Sequence, residues 1–266
     1  MDKTVVENIK STKQRDSLLL KLDKSYLSII QRFCFFSNAA AKSKSRMPTQ
    51  PIKLYYLPPS PPCRVVMMTA NILGIELDPI MTNIMEGAHK TPEYLKMNPQ
   101  HTIPTMDDDG FILWESRAIQ QYFVNAYGQN DSLYPKNPRL RALVDQRLQF
   151  DVGTLYARYL KTYAPVIFHG ASIQDADVES LNEAIGWLNI MLEGKAFVAG
   201  DNMTIADISI VATFTNLKAF DFDFSSHENV SKWFERTKNA LKPYGYEEID
   251  EAGAAILASF IKNKED

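Results

Sequence analysis

Short apolar runs alternate with stretches of helical periodicity from residue 52 onward. The first run, residues 52–57, predicts a strand, and the proline-rich segment 58–62 cannot continue it. Apolar residues then recur at helical spacing over residues 63–73, and Gly74 follows where a helix C-cap is expected. This succession of strand, turn and helix is typical of an α/β unit.

The same alternation continues as far as residue 127. A second strand, a short helix and two strands joined by an Asp-rich turn complete the pattern. Their predicted ranges are 76–81, 91–97, 105–106 and 111–114, with the turn at 107–110 and a closing helix at 116–127. The predicted order of elements is therefore βαβαββ, followed by one helix.

Beyond a loop rich in Gly, Asn, Asp and Pro at residues 128–138, helical periodicity dominates the chain. Five helices are predicted, at 140–168, 175–192, 204–220, 230–241 and 247–261. Thr204 and Asp207 have the spacing of a capping box, in which each side chain bonds a free backbone N–H at a helix start. We therefore expect an α/β domain followed by an all-α domain.

Residues 1–50 differ from the rest in charge, with 10 Lys+Arg against 4 Asp+Glu, whereas residues 51–266 carry 19 against 28. We interpret them as an N-terminal extension that is disordered. A mitochondrial presequence within residues 1–46 is conceivable, but such segments are poor in acidic residues. Because Met47 stands just before the folded pattern begins, an upstream extension of the gene model or an isoform-specific tail is the alternative.

The remaining composition excludes several classes of function. An acidic body offers no basic surface for nucleic acid. Two cysteines and four histidines show no metal-ligand spacing, so we expect no metal site and a reducing compartment. No stretch approaches the roughly 20 apolar residues that span a bilayer.

Six strings, in order along residues 52–262, resemble the cytosolic glutathione S-transferases of the insect Delta and Epsilon classes. The six strings are Tyr55-Tyr-Leu-Pro-Pro-Ser-Pro-Pro-Cys-Arg64, Asn98-Pro-Gln-His-Thr-Ile-Pro-Thr105, Trp114-Glu-Ser-Arg-Ala-Ile119, Leu133-Tyr-Pro135, Gln146-Arg-Leu-Gln-Phe-Asp151 and Asn202-Met-Thr-Ile-Ala-Asp207. The resemblance implies a thioredoxin-like, glutathione-binding domain over 51–128, a linker over 129–137 and an all-helical domain over 138–266. The match as a whole favours Delta slightly, although the prolines around Ser60 are closer to Epsilon.

The resemblance makes Ser60 the catalytic residue. A thiol has a pKa near 8.5, so an enzyme that uses glutathione as a nucleophile must lower the pKa of its thiol. A hydroxyl donor at the start of a helix can supply that stabilisation. The alternative interpretation is that Ser60 only caps the helix, which is the usual role of Ser at such a position.

Cys63 offers a chemical rival. The spacing Ser60-Pro-Pro-Cys63 is similar to a redox Cys-x-x-Cys motif that lacks its first cysteine. A thiol transferase would use Cys63 as its nucleophile. However, Cys63 falls inside the first helical turn, where we expect partial burial and a structural role.

Further glutathione contacts are implied by the resemblance. They are the predicted cis proline and its neighbours, two histidines for the glycyl carboxylate, and an anion site at a helix start for the γ-glutamyl end. Together with Ser60 the set is His89, His101, Thr102, Ile103, Pro104, Glu115, Ser116 and Arg117, supported by Asp151 from across the dimer. A trans turn proline, exposed surface histidines and an ordinary charged helix cap are the respective alternatives.

An apolar pocket for the electrophile is also implied, lined by Leu57, Pro59, Tyr156, Tyr159 and Phe168. Aromatic residues at this spacing are equally compatible with a plain core. The expected enzyme is a cytoplasmic homodimer that conjugates glutathione, its co-substrate, to hydrophobic electrophiles without a further cofactor. Dehydrohalogenase or peroxidase side activity is implied as well. The alternative from another class is a non-catalytic ligand carrier.

Overall fold

The computed structural model describes residues 47–262. The predicted extension therefore lies outside the described residues, apart from its last four positions. The predictions of disorder and of targeting for residues 1–46 fall outside them entirely.

The first domain has the predicted βαβαββ order. Its strands are β1 (Ile52–Tyr56), β2 (Leu77–Met81), β3 (Thr105–Asp108) and β4 (Phe111–Trp114), and its helices are α1 (Pro61–Leu73), α2 (Pro92–Met97) and α3 (Ser116–Tyr127). Helix α1 begins two residues earlier than predicted, because proline has a helical φ and needs no hydrogen-bond partner at the first positions of a helix. Gly74 ends it in the left-handed conformation.

The four strands form one sheet in the order β2-β1-β3-β4. Strand β1 is parallel to β2 and antiparallel to β3, and β3 is antiparallel to β4. Buried Leu54 and Met106, which are paired on adjacent strands, place one face of the sheet in the core. Helix α1 covers that core with eight successive buried residues, from Cys63 to Ala70.

The second domain is helical, as predicted. Its helices are α4 (Pro138–Phe150), α5 (Tyr156–His169), α6 (Asp175–Met191), α7 (Ile205–Ala219), α8 (Glu228–Leu241) and α9 (Ala252–Lys262). The predicted helix 140–168 is divided by a π-helical turn at Asp151–Leu155, and a second such turn, Tyr246–Glu251, precedes α9. Periodicity cannot distinguish these turns from α-helix, since each adds only one residue per turn. No helix within residues 47–262 has the length and apolar character needed to cross a membrane.

Helix α7 runs through the centre of the second domain and is buried from Ile205 to Leu217. The predicted capping box fixes its start: Asp207 accepts the backbone N–H of Thr204 at 2.8 Å. The Asp207 carboxylate also accepts the N–H of Val198 and the indole N–H of Trp233, both at 2.8 Å. One buried carboxylate thus joins a loop and two helices.

Candidate active site

Four chain segments meet at one end of the sheet. The strand register places Tyr55, Thr105 and Trp114 in one row, so β1 and β4 leave the sheet where β3 enters it. Parallel strand β2 ends at the same edge, with Met81 beside Tyr56. The predicted glutathione-binding residues lie on the segments that follow or precede these strand ends, and the topology therefore brings them to one edge.

Ser60 is the residue before α1, but its side chain does not cap the helix. Its backbone carbonyl accepts the N–H groups of Cys63 and Arg64, at 3.0 and 3.1 Å. Pro61 and Pro62 occupy the first two helical positions and have no N–H to offer. The hydroxyl is therefore left half-exposed at the mouth of the helix, and the interpretation of Ser60 as a mere cap loses its expected hydrogen bond.

Cys63 is fully buried in the first turn of α1. Burial raises the pKa of its thiol to about 11, which outweighs the lowering by a hydrogen bond from Ser60. A thiol in this environment is almost entirely protonated near neutral pH. The structure therefore favours the structural role of Cys63 over the thiol-transferase interpretation, with deeper burial than the sequence suggested.

The peptide bond between Ile103 and Pro104 is cis, as predicted. Two residues outside the predicted set hold the preceding segment. The Tyr94 hydroxyl donates to the Thr102 carbonyl at 2.6 Å, and the Asn98 amide donates to the Thr102 carbonyl and hydroxyl, each at 3.1 Å. Asn98 is the first residue of the string 98–105, which resembles the family. Its inward orientation, however, is visible only in the folded loop.

The two predicted histidines lie side by side. The ring centroids of His89 and His101 are 5.7 Å apart. The Nδ1 atom of His89 is buried without a hydrogen-bond partner among residues 47–262, and His101 has a positive φ of 47°. Burial, Lys90 and His101 lower the pKa of His89. The pair thus places a half-buried imidazole, whose charged form is disfavoured, beside an exposed histidine at the edge where the strands end.

Glu115 and Ser116 form the junction between β4 and α3. Glu115 has a φ of 71°, which is rare for a residue with a side chain and typical of strained functional positions. Ser116 is buried at the start of α3, and its hydroxyl accepts a hydrogen bond from Arg117 at 3.1 Å. Free N–H groups and positive charge therefore converge at this helix start.

Arg117 is paired with Asp151 at the start of the π-helical turn. Its Nε and Nη2 atoms lie 3.0 and 2.6 Å from Asp151 Oδ2, and the guanidinium lies over the Tyr156 ring. Burial raises the pKa of Asp151 even with Arg117 beside it, and the other carboxylate oxygen has no hydrogen-bond partner within the described part of the chain. Asp151 thus pairs with Arg117 within the same chain, and its predicted role across a dimer stays a prediction.

The residues predicted to line the electrophile pocket have unequal exposure. Leu57 and Pro59 are buried in the turn after β1, Tyr156 is half-buried, and Phe168 is 46% exposed. Tyr159 is only 1% exposed, and its hydroxyl accepts a hydrogen bond from Asn216 at 2.8 Å. Since Tyr159 packs between the rings of Tyr156 and Phe220, it serves the core, as the alternative interpretation allowed.

The sequence interpretation gave no role to Arg64 or Asp250. Arg64 is fully buried, and its Nε donates to Asp250 Oδ1 at 2.8 Å across 186 residues of chain. Arginine is almost never fully buried without a partner, so an Arg inside an apolar helix start indicated that a buried partner exists. The sequence could not identify the partner, because Asp250 lies in an ordinary helical period.

The described residues contain no group of three or more His, Cys, Asp or Glu side chains that could hold a metal ion.

Two family models match the chain. The glutathione S-transferase N-terminal domain matches residues 54–131, and the glutathione S-transferase C-terminal domain matches residues 155–239. Together they span both domains described above.

Relatives match over nearly their whole length. Glutathione S-transferase D7 of Anopheles gambiae is 46% identical over 211 residues, which are 79% of this chain and 97% of the relative. The solved glutathione transferase BmGSTD1 of Bombyx mori is 68% identical with a TM-score of 0.80, covering 81% of this chain and all of that one. A delta-class glutathione transferase of Nilaparvata lugens is 43% identical with a TM-score of 0.77, covering 80% and 100%.

Proposed function

The chain belongs to the glutathione S-transferase family, in its Delta class, and we propose that Ser60 holds the thiolate of glutathione that this transferase conjugates to hydrophobic electrophiles. The observation that carries this proposal is the start of α1. There the Ser60 hydroxyl caps no backbone N–H, and prolines remove the two nearest competing donors. The prolines around Ser60, which are closer to the Epsilon class, therefore also occur in a Delta-class chain.

The required stabilisation is within reach of one hydroxyl and a helix start. Lowering the pKa of a thiol from about 8.5 to about 6.5 corresponds to about 2.7 kcal/mol of preference for the thiolate. A hydrogen bond to a charged group contributes about 1.5–3 kcal/mol. The positive end of the α1 dipole adds roughly 0.3–1 kcal/mol. Because Pro61 and Pro62 offer no N–H to the sulfur, the hydroxyl provides the main share.

The rest of glutathione fits the groups at the same edge of the sheet. We assign the γ-glutamyl carboxylate to the N–H groups and hydroxyl at Ser116, and the ammonium group to Glu115. Ile103, preceding the cis proline, pairs its backbone with the cysteinyl unit like an added strand. His101 and His89 receive the glycyl carboxylate, with Thr102 beside them. Arg117, held by Asp151, balances the charges of the γ-glutamyl end.

The electrophile side of the site is assigned to Leu57, Pro59, Tyr156 and Phe168. We assign Tyr159 to the support of Tyr156, because it has almost no exposed surface of its own. Glutathione is the co-substrate, and the chemistry above needs no further cofactor. Dehydrohalogenase or peroxidase side activity would use the same thiolate.

We also propose a cytoplasmic homodimer. Exposed apolar side chains on β4 and α4 support the dimer: Phe111 is 49% exposed, Leu140 50% and Leu143 42%. Leu140 and Leu143 are three residues apart and so share a face of α4. Analytical ultracentrifugation of wild type and of Leu143→Asp tests this, with a shift to monomer expected for the variant. A wild type that sediments as a monomer would refute the dimer.

The test of the function is turnover of a chloro-aromatic acceptor with glutathione. Wild type should conjugate it, and Ser60→Ala should lose roughly 5- to 15-fold in rate at pH 7, since the helix dipole remains and the thiolate fraction falls from about three quarters to about 5–14%. Ser60→Ala should still bind immobilised glutathione. Binding without turnover by the wild type would instead support the non-catalytic carrier, and full activity of Ser60→Ala would exclude Ser60 as the thiolate donor.

A further inference from the structure

A buried arginine lies directly behind the active-site turn. Arg64 follows Ser60 by one helical turn, and none of its side chain is exposed. Its Nη1 atom donates to the carbonyl of Pro59, the residue before Ser60, at 3.1 Å. The guanidinium therefore holds the backbone from which the catalytic hydroxyl projects.

The other donors of Arg64 reach two distant parts of the second domain. Nε donates to Asp250 at 2.8 Å, and Nη2 donates to the Asn216 side chain at 2.7 Å. Asn216 in turn donates to the hydroxyl of Tyr159, behind the proposed electrophile side. One planar cation thus connects the Ser60 turn with α7 and with the π-helical turn that precedes α9.

The chain passes close to the same turn once more at Gly253, in the first turn of α9. A Cβ atom added there would lie 2.4 Å from the carbonyl oxygen of Pro58 and 2.4 Å from Cδ of Arg64. Both distances are far inside van der Waals contact, so the turn or the arginine would have to move. The C-terminal segment is therefore packed directly against the backbone before Ser60.

A buried ion pair is a costly way to join two domains. Apolar residues of similar volume often stabilise a fold as well as or better than such a pair, whereas a planar arginine fixes direction through several hydrogen bonds at once. Arg64 uses three of its nitrogen atoms on acceptors from three separate segments. This geometry specifies where the turn lies relative to the second domain.

We propose that Arg64 and Asp250 are positioning residues of the transferase: from the second domain they fix the backbone of Pro58 and Pro59, and thereby the place of the Ser60 hydroxyl relative to the glutathione sulfur. The inference rests on the proposed role of Ser60. Neither side chain touches glutathione, because both are enclosed. Their effect is on the thiolate and reaches it through Ser60.

The experiment is a pH titration of the ultraviolet absorbance of bound glutathione thiolate in the full-length enzyme. Asp250→Asn keeps the shape of the side chain but removes its charge, and Gly253→Ala pushes on the turn and on Arg64 without deleting a polar group. We expect each to raise the pKa of the bound thiol by about half a unit to one unit, a three- to tenfold lower thiolate-to-thiol ratio. The KM for glutathione should change less than about twofold, because its binding groups are untouched.

Two further variants separate positioning from general destabilisation. Trp233→Phe removes one buried hydrogen bond to Asp207 in the second domain, far along the chain from the turn, and should leave the thiol pKa unchanged. In Ser60→Ala, adding Asp250→Asn should cause no further rise, because the hydroxyl through which Asp250 acts is gone. If Asp250→Asn does not fold, Gly253→Ala decides the question by itself.

The outcomes distinguish the two claims. If Ser60→Ala raises the thiol pKa while folded Asp250→Asn and Gly253→Ala leave it within about 0.2 unit of wild type, the positioning role is refuted and the role of Ser60 stands. If Trp233→Phe raises the pKa as much as Gly253→Ala does, the effect is general and the inference fails. If Ser60→Ala leaves the pKa unchanged, the proposed function itself fails.

Discussion

Helices α1 and α7 each follow a hydroxyl residue, and these two hydroxyls are used differently. Thr204 begins α7 as part of a capping box, in which Asp207 bonds its backbone N–H and its hydroxyl at 2.8 and 3.0 Å. Ser60 begins α1, and its side chain bonds no backbone N–H of the helix. The same residue class at the same local position is thus structural in one domain and available for chemistry in the other.

The neighbouring residues account for the difference. Two residues after Thr204 the chain offers an ordinary N–H, and a carboxylate stands at the third position. After Ser60 the first two helical positions are prolines, and the third is the apolar thiol of Cys63. Pro62 removes the N–H at the second helical position, and the N–H of Cys63 at the third position donates to the Ser60 carbonyl at 3.0 Å. A helix start built in this way leaves its hydroxyl for partners other than the backbone: the Cys63 thiol in the structure and, in our proposal, the sulfur of glutathione.

The largest expected effect is on the stability of the start of α7. Asp207→Ala would leave the N–H groups of Val198, Thr204 and Trp233 buried without an acceptor, each at a cost of about 1–3 kcal/mol. We expect the free energy of unfolding to fall by about 4 kcal/mol or more, measured by urea denaturation. A loss below about 1 kcal/mol would show that the carboxylate does not organise the start of α7.

A smaller effect is expected for the reactivity of Cys63. With the pKa of its thiol raised to about 11, its thiolate fraction at pH 7.5 is a few hundredfold lower than that of an exposed thiol. In a Cys34→Ala background, an alkylating reagent should therefore react with the native enzyme at least a few hundredfold more slowly than with the urea-unfolded chain. Rapid alkylation of the native enzyme would revive the thiol-transferase interpretation.

The smallest effects come from truncating the two hydroxyl residues. Thr204→Ala should lower the free energy of unfolding by about 1 kcal/mol, the usual contribution of a cap. Ser60→Ala should change it by less than about 0.5 kcal/mol, because no cap is removed and the lost hydrogen bond goes to a thiol, which is a weak acceptor. Equal losses in parallel urea denaturation curves would mean that Ser60 caps its helix in solution, and the contrast between the two helix starts would then disappear.

The sequence predicted the fold well where each element carries its own local signal. Proline, glycine and apolar periodicity determined the βαβαββ order, and the Thr204–Asp207 spacing predicted the capping box. The π-helical turns were missed, since an inserted residue leaves the apolar period nearly intact. Local signals thus identify helices and strands without showing how tightly each turn is wound.

Prediction of the site depended on the distance of each partner along the chain. Pro104, His101 and Ser116 are flanked by their own motifs, from which their roles could be proposed. The contacts of Arg64 with Asn216 and Asp250 span 152 and 186 residues, and no local pattern connects such positions. The burial of Tyr159 likewise follows from the packing of α5 against α7, which the sequence does not show. Residues that support the site from the other domain are therefore visible only in the folded chain.

The most direct test of the account is the pH dependence of thiolate absorbance in the glutathione-bound enzyme, compared between wild type and Ser60→Ala. The account predicts a bound thiol with a pKa of about 6.5 in the wild type and about 8 in the variant, which keeps the helix dipole. A Ser60→Ala enzyme that titrates at the wild-type pH would contradict it, because the hydroxyl at the start of α1 would then contribute nothing to the thiolate.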